Sequence, residues 1–363
     1  MGIFVRRHAK AASLYNNVAV LYVKSDHSVL EPKIEYNSKN GFAELIIKYP
    51  KVNTKLPVWV NFSKIKRFKQ YHNLGLKLLA EKGFVPDVLH CNIMYPAGLI
   101  AKLWKKEHQI PYVITEHWTG YLDSDGRYNN SSILKLTIPS IARKAEKILP
   151  VSTDLKNALK KNKLGSNFKV IRNVVDTDQF FIQEKTKNSF LVVADLENDQ
   201  KNISGIIEAF QEVKNLTPKI QLQIAGGGKD EMKFKALVHK LKLNDHIHFH
   251  GRVPAKKLND LLAQSYASIL FSNYENLPCV IVEAFAAGVP FISTNVGGIK
   301  EIFSHERGYL IKTKNKKELI EAMLNVVKEN WDEEKLREYA INNFSFKHIG
   351  EEFNKVYQSV LGK

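Results

Sequence analysis

The sequence predicts an α/β protein made of two doubly wound parallel-sheet domains, and three observations carry that expectation. The chain has 363 residues, which at roughly 150 residues per domain makes about two domains, each large enough to bury a core. Short runs rich in β-branched and aromatic residues alternate with longer stretches of helical period, the pattern of βαβ units. The charge is also divided. Residues 1–170 hold 28 Lys+Arg against 12 Asp+Glu, a net of +16, and residues 171–363 hold 26 against 25, a net of +1.

In the first half the expected strands are Val18–Val23, Ala43–Lys48, Asp87–Cys91, Tyr112–Glu116, Lys147–Val151 and Lys169–Arg172. In the second they are Phe190–Ala194, Gln221–Ala225, Ile247–Gly251, Ala267–Ser272, Pro290–Thr294 and Tyr309–Lys312. Helical periods fill the intervals, among them Leu99–His108, Ile203–Leu216, Glu231–Leu241 and Leu319–Asn330. The polar stretch Asp176–Asn188 is the linker candidate and lies where the charge balance changes.

With 44% hydrophobic residues the chain is neither disordered nor collagen-like. Its two cysteines, Cys91 and Cys279, lie far apart without partners at metal-ligand spacing, so neither a disulfide framework nor a zinc cluster is expected. That usage fits a reducing, cytoplasmic setting. No run approaches the ~20 apolar residues of a membrane span, and Met1–Lys10 lacks the apolar core of a signal peptide. The net charge of +17 sits almost wholly in the first half, which points to an anionic contact on that half alone: nucleic acid, an acidic membrane surface or an anionic acceptor.

Open parallel sheets bind ligands beyond the carboxyl ends of their strands, so those loops are where chemistry is sought. Tyr112–Glu116 runs into His117-Trp118-Thr119-Gly120, placing an imidazole at a strand end, where a structural histidine is the simpler alternative. Gln221–Ala225 runs into Gly226-Gly227-Gly228, where backbone N–H groups can approach a phosphate, or where a tight turn needs glycine. The richest segment is Phe271 to Pro290. A strand ends near Ser272, Glu275 follows in a loop, Pro278 suits a first helical turn and Gly288 a helix end. The positive helix N-terminus then faces the same cleft as Glu275, an arrangement that binds a diphosphate. Glu283 sits among Val280, Ile281, Val282, Ala284 and Phe285, where a buried carboxylate needs partners such as a ribose diol.

At these residues the sequence resembles the retaining glycosyltransferases of the GT-B fold, family 4. The Glu275 and Glu283 pair, the Glu283-Ala-Phe-Ala-Ala-Gly-Val-Pro290 helix and the Asn295-Val-Gly297-Gly298-Ile-Lys-Glu301 turn carry the resemblance. Val170 to Phe180, Ile224-Ala-Gly226-Gly227-Gly228, His248-Phe-His-Gly251-Arg-Val-Pro254, Pro86-Asp87-Val-Leu-His90 and Pro111 to His117 fit in order. Phe344-Ser-Phe346 through Tyr357 is similar to the C-terminal helix that crosses back. The resemblance implies two Rossmann-like domains: residues 1–175 for the acceptor, with about 345–363 packing back on them, and residues 176–344 for a nucleotide-sugar.

It further implies sugar transfer with retained configuration, no cofactor and no catalytic metal, in the synthesis of a cell-surface glycan. Glu275 is expected on sugar hydroxyls, Glu283 on the ribose, Lys201 on the leaving diphosphate and His117 on the reacting sugar. Gly226, Gly227, Arg252, Asn276, Leu277, Pro278 and Cys279 would complete the donor site. Two departures stand out. Ala194-Asp195-Leu196 stands where the family has Gly-Arg-Leu, so either Arg172, Lys229 or Arg252 supplies the charge or the longer Glu197–Gln200 insertion shifts the local alignment. The opening Gly2-Ile-Phe-Val-Arg-Arg-His8-Ala-Lys resembles the family's first helix, so the first domain is expected to lack its first strand.

The segment Trp59 to Leu79 places Lys64, Lys66, Arg67 and Lys69 opposite Ile65, Phe68, Leu78 and Leu79. It suits an interfacial helix on the inner face of an anionic cytoplasmic membrane, near a lipid-linked or polysaccharide acceptor, and equally a helix packed on its own domain. Two other functions share the pattern: a nucleotide-sugar epimerase of the same fold, and an inactive shortened relative that binds a membrane or partner. Nucleic acid is not an expected partner, since no recognition module accompanies the charge.

Overall fold

Strands buried on both faces need helices to cover them, and the sequence supplies one after almost every strand. The computed structural model describes residues 2–38, 41–51, 57–184 and 186–363, the side chains of 57–62 excepted. The first half runs α1 (Ile3–Ser13), β1 (Ala19–Asp26), β2 (Lys33–Asn37), β3 (Ala43–Pro50), α2 (Pro57–Ala80), β4 (Leu89–Asn92), α3 (Ala97–His108), β5 (Tyr112–Glu116), α4 (Ser132–Lys144), β6 (Lys147–Pro150) and α5 (Thr153–Lys161). The second half runs β7 (Ser189–Val193), α6 (Asn198–Lys201), α7 (Ile203–Leu216), β8 (Gln221–Ala225), α8 (Glu231–Lys240), β9 (Ile247–Gly251), α9 (Ala255–Ala263) and β10 (Ser265–Leu270). It continues through α10 (Cys279–Ala286), β11 (Phe291–Thr294), β12 (Gly308–Ile311), α11 (Lys316–Val326), α12 (Glu333–Phe344) and α13 (Phe346–Leu361).

The second half is one parallel sheet of order β12-β11-β10-β7-β8-β9. The chain winds outward from β7 through β8 to β9, then crosses back to β10 and winds the other way. The reversal falls between β7 and β10, which is where a doubly wound sheet opens a crevice for ligand. Lys201 follows β7 and Glu275 follows β10. Sheet topology thus brings residues 74 positions apart into one cleft.

In the first half the strands divide into two sheets, β1-β3-β2 and β4-β5-β6, with no ladder joining β1 to β4 among the described residues. A single sheet was expected, and two further expectations need correction. Lys33–Asn37 is a strand, antiparallel to β3 from Lys33↔Lys48 to Asn37↔Glu44; its mixed polar composition hid it. Lys169–Arg172 is not one, since it meets β6 by an isolated Ile148↔Phe168 bridge and by bonds from Lys169 N and Ile171 N. The linker candidate is also more buried than its composition implied. Asp176, Thr177 and Phe180 are buried, and just before it Val175 N–H donates to Phe344 O.

The C-terminal helix returns to the first half. Ile349, Phe353 and Val356 of α13 share a core with Ala11 and Ala12 of α1, Val113 of β5 and Leu149 of β6. Gly350 is required there, because a Cβ would stand 2.3 Å from Ala11 O. The expected membrane-facing helix is α2, and its apolar side is already covered: Phe68, Tyr71, Leu78 and Leu79 pack on Val23, Leu45, Ile47 and Tyr49 of β1 and β3. Of its basic residues, Lys64 and Lys66 are exposed, Arg67 lies over the Tyr49 ring and Lys69 pairs with Glu107 at 2.5 Å. Ile65 is exposed, off the packed face. The start of that segment, including Trp59 and Phe62, lies outside the described side chains. No helix among the described residues is long and apolar enough to cross a membrane.

Candidate active site

Burial creates the central ion pair. Glu275 is 5% exposed in the loop after β10, and its carboxylate accepts from Ser272 Oγ at 2.8 Å and from Lys201 Nζ. A carboxylate this buried is tolerable only because both partners meet it. Lys201 ends the short α6, and Asn202 then takes a left-handed conformation and caps α7 through Gly205 N–H. That turn projects the lysine into the crevice.

Four residues on, α10 begins. Pro278 is its N-cap, no side chain caps it and its first turn holds no acidic residue. Its leading N–H groups therefore present uncompensated partial positive charge. Leu277 is buried, with its carbonyl held by Asn173 Nδ2 at 2.9 Å. Glu283 is 7% exposed and lies 2.9 Å from Arg7 of α1. Gly297 carries a φ of +55°, and a Cβ there would lie 2.0 Å from Glu275 O, so the loop after β11 braces the Glu275 backbone only because that position is glycine.

The first domain contributes His117 from the end of β5. Its placement follows from Glu116, which is fully buried and accepts N–H bonds from Met94 at 3.0 Å, His117 at 3.0 Å and Trp118 at 2.9 Å, and the Tyr121 hydroxyl at 3.3 Å. Burial pushes the Glu116 carboxyl up to about 7 despite those four donors. His117 is itself held below the ordinary imidazole value by burial. Across the cleft, Asn276 Nδ2 donates to His117 O at 2.6 Å, so the two candidate loops touch directly. Asn276 Oδ1 is buried without a partner among the described residues.

The glycine loop after β8 has a packing reason for two of its three glycines. A Cβ on Gly226 would meet Ala194 O at 1.8 Å, and one on Gly228 would meet Leu196 O at 2.6 Å. Those two glycines let the loops after β7 and β8 pack together; at Gly227 a Cβ would make only ordinary contacts. Arg252 bonds Asp195 at 2.6 Å and so sits on the residue that replaced the expected arginine. Lys229 is 3.9 Å from Glu197 and Asp199, and Arg172 bonds Asn343 and covers Phe344. Lys64, Lys66, Arg67 and Lys69 lie on α2, apart from this constellation.

A cavity of about 370 Å³ adjoins the site between the domains, lined by Asp154, Asn157 and Lys161 of α5 and by Tyr274, Glu275 and Gly297. Two family models match in succession, Glycosyltransferase Family 4 over residues 32–179 and Glycosyl transferases group 1 over residues 175–343. The chain is a group 1 glycosyltransferase of the GT-B fold. It is 27% identical over 259 residues to the putative teichuronic acid biosynthesis glycosyltransferase TuaC of Bacillus subtilis (strain 168), covering 68% of this chain and 63% of that protein. It is 26% identical over 301 residues to N-acetyl-α-D-glucosaminyl L-malate synthase of Bacillus anthracis, covering 76% and 75%. Anabaena HepE in complex with UDP and glucose has the same fold, with a TM-score of 0.74 at 16% identity over 99% of this chain and 96% of that one.

In this glycosyltransferase two site-bordering residues escaped the sequence reading. Arg7 was legible only as part of a first helix, because nothing in the sequence says that α1 reaches Glu283. Glu301 stands at the end of the quoted Asn295–Glu301 turn, and its two carboxylate oxygens accept Thr153 N–H at 2.9 Å and Asp154 N–H at 3.0 Å. It thus caps α5 of the other domain, in the manner of an N-terminal capping carboxylate.

Proposed function

We propose that this glycosyltransferase moves a sugar from a nucleoside diphosphate sugar to a hydroxyl of a cell-surface glycan precursor, with retained configuration and without a catalytic metal. The observation that carries this reading is the meeting, at the topological switch of the second sheet, of two buried carboxylates, a lysine and an uncapped helix N-terminus, with the His117 backbone joined to them through Asn276. Glu275 takes hydroxyls of the transferred sugar and Glu283 the ribose diol. Lys201 and the α10 N–H groups take the diphosphate. The bond between the anomeric carbon and the β-phosphate oxygen breaks, and its electron pair stays on that oxygen. The acceptor oxygen bonds the same face of the carbon and passes its proton to the departing phosphate. Preorganised N–H groups and a cation aimed at the charge that develops lower this barrier electrostatically.

The acceptor end enters the cavity beside Glu275. Asp123 and Asp154 flank a single lysine there, Lys161, which suits neutral sugar hydroxyls. The glycan class follows the teichuronic acid relative. With the apolar side of α2 covered, attachment to an acidic inner membrane face would rest on charge alone. A thermal-shift panel of UDP-, GDP- and ADP-sugars tests the donor site, since a ligand bound only by the folded state raises the melting temperature. At least one donor should shift it, and no shift with any would contradict the reading. Incubation with donor alone separates transfer from epimerisation: a changed sugar in the recovered donor would favour the epimerase.

A further inference from the structure

Both candidate carboxylates of the cleft already hold a cation, and the two cations come from different domains. Lys201 holds Glu275 within the second domain. Arg7, from α1 of the first, holds Glu283 at 2.9 Å with only 12% of its side chain exposed. The Arg7 guanidinium also lies beside the thiol of Cys279, the first residue of α10, where it opposes the upward push of burial on that thiol. A cation is therefore buried at the N-terminal end of a helix whose own N–H groups are uncapped and unaccompanied by acidic residues. Like partial charges meet there. Glu283 offsets one of them, yet a buried ion pair gives little net stability once its desolvation is counted. An anion lodged between Arg7 and the α10 N–H groups would satisfy both. A second observation points to a ligand that carries a donor as well as the anion, as a sugar hydroxyl beside a diphosphate does: Asn276, 6% exposed and two residues before Pro278, leaves its Oδ1 without a donor among the described residues. The other basic side chains near the cleft are engaged elsewhere, Arg252 on Asp195, Arg172 on Asn343 and Lys229 beside Glu197.

We propose that Arg7 completes the donor's diphosphate site from across the cleft. When the donor enters, its ribose diol takes over Glu283 and its sugar hydroxyls take over Glu275. The two cations thereby released, Arg7 and Lys201, turn to the two phosphates. A guanidinium fork matches two phosphate oxygens where an ammonium offers a single point charge. Because Arg7 belongs to the first domain and α10 to the second, the diphosphate then ties the two domains together, as Asn276 ties the two loops. This inference rests on the reading of the cleft as a nucleoside diphosphate sugar site.

The test is calorimetric titration of the wild type, Arg7→Lys, Arg7→Ala and the double variant Arg7→Ala/Glu283→Gln. The probes are UDP, GDP and ADP, each beside its nucleoside. Loss of one charge-assisted contact to phosphate weakens the preferred diphosphate by roughly 10- to 100-fold in Arg7→Ala, leaves the nucleoside unchanged and puts Arg7→Lys in between. Removing Arg7 alone strands Glu283, so the double variant, which leaves no unpaired charge, must show the same roughly 10- to 100-fold fall in its preference for diphosphate over nucleoside. Full diphosphate preference in the double variant would make Arg7 only a structural partner of Glu283 and overturn the proposal. Wild-type protein that binds none of the three diphosphates would overturn the donor-site reading itself, a result distinct from equal binding by wild type and variants.

Discussion

Acidification should unfold this protein well above the pH at which exposed carboxylates titrate, because three histidines are buried in neutral form. Burial holds His8 and His72 at about 4 and His90 at about 3, against 6.5 for a free imidazole. Burial outweighs the few neutral acceptors around them, such as Asn92 for His8 and the Phe68 carbonyl for His72. His8 Nδ1 meets Asn92 Oδ1, and His90 lies between Thr115 Oγ1 and the Tyr357 hydroxyl, with Phe353 edge-on to both rings. Between pH 6.5 and about 4 the unfolded chain binds these three protons and the native state does not, so stability falls as pH falls. Glu116 acts in the opposite sense: its carboxyl is raised from 4.5 to about 7, so over most of that window the native state holds a proton that the unfolded chain has released. For these four groups the net difference is two protons favouring the unfolded state, a slope of about 2.7 kcal/mol per pH unit between 4.5 and 6.5, and His117, also held low by burial, acts in the same direction. Over that window the loss is roughly 5 kcal/mol, comparable to the whole stability of many domains. Urea denaturation followed by tryptophan fluorescence at pH 7.5, 6.5, 5.5 and 4.5 measures it. His8→Gln should reduce the slope by about 1.4 kcal/mol per unit. A denaturation midpoint that stays flat from pH 6.5 to 4.5, or a slope unchanged in His8→Gln, would refute the reasoning.

Four other outcomes follow from particular contacts. Glu275→Ala should abolish transfer while far-UV dichroism stays native, and unchanged turnover would remove Glu275 from the site. Glu116→Gln should cost about 2 kcal/mol, since an amide cannot accept from all three backbone N–H groups at once, and should lower transfer through His117; an unaltered melt and rate would show that the carboxylate does not set that turn. Gly226→Ala should destabilise by about 3 kcal/mol, because its Cβ would lie 1.8 Å from Ala194 O, and a wild-type melting temperature would contradict that packing. Vesicle sedimentation should detect binding to acidic vesicles only, weakened by salt and by Lys64→Glu/Lys66→Glu; equal binding to neutral vesicles would contradict a purely electrostatic contact.

The second domain was legible in sequence because each of its strands is a short apolar or alternating run, and a helical period follows nearly all of them. Its six strands lie where they were expected, to within two residues at most boundaries. Glu275 and Glu283 were legible for a related reason: both lie in one unbroken strand-loop-helix segment, so spacing alone places them at one end of the sheet. What crosses between domains was not legible. Arg7 meets Glu283 and Glu301 meets α5 through pairings of distant segments that no local period encodes. Composition also left the glycines after β8 with two readings, and packing against Ala194 and Leu196 accounts for Gly226 and Gly228. In the first domain the polar alternation of Lys33–Asn37 hid a strand. The amphipathic period of α2 was correct, but its apolar side faces β1 and β3 and not a bilayer.

The central claim is that a nucleoside diphosphate sits in the crevice between β7 and β10, with its phosphates at the start of α10. The most direct measurement is a crystal structure with the diphosphate that gives the largest thermal shift. The account predicts phosphates within hydrogen-bonding distance of the α10 N–H groups and Lys201, with the ribose diol on Glu283. A diphosphate bound outside this crevice, or a ribose that leaves Glu283 untouched, would contradict it.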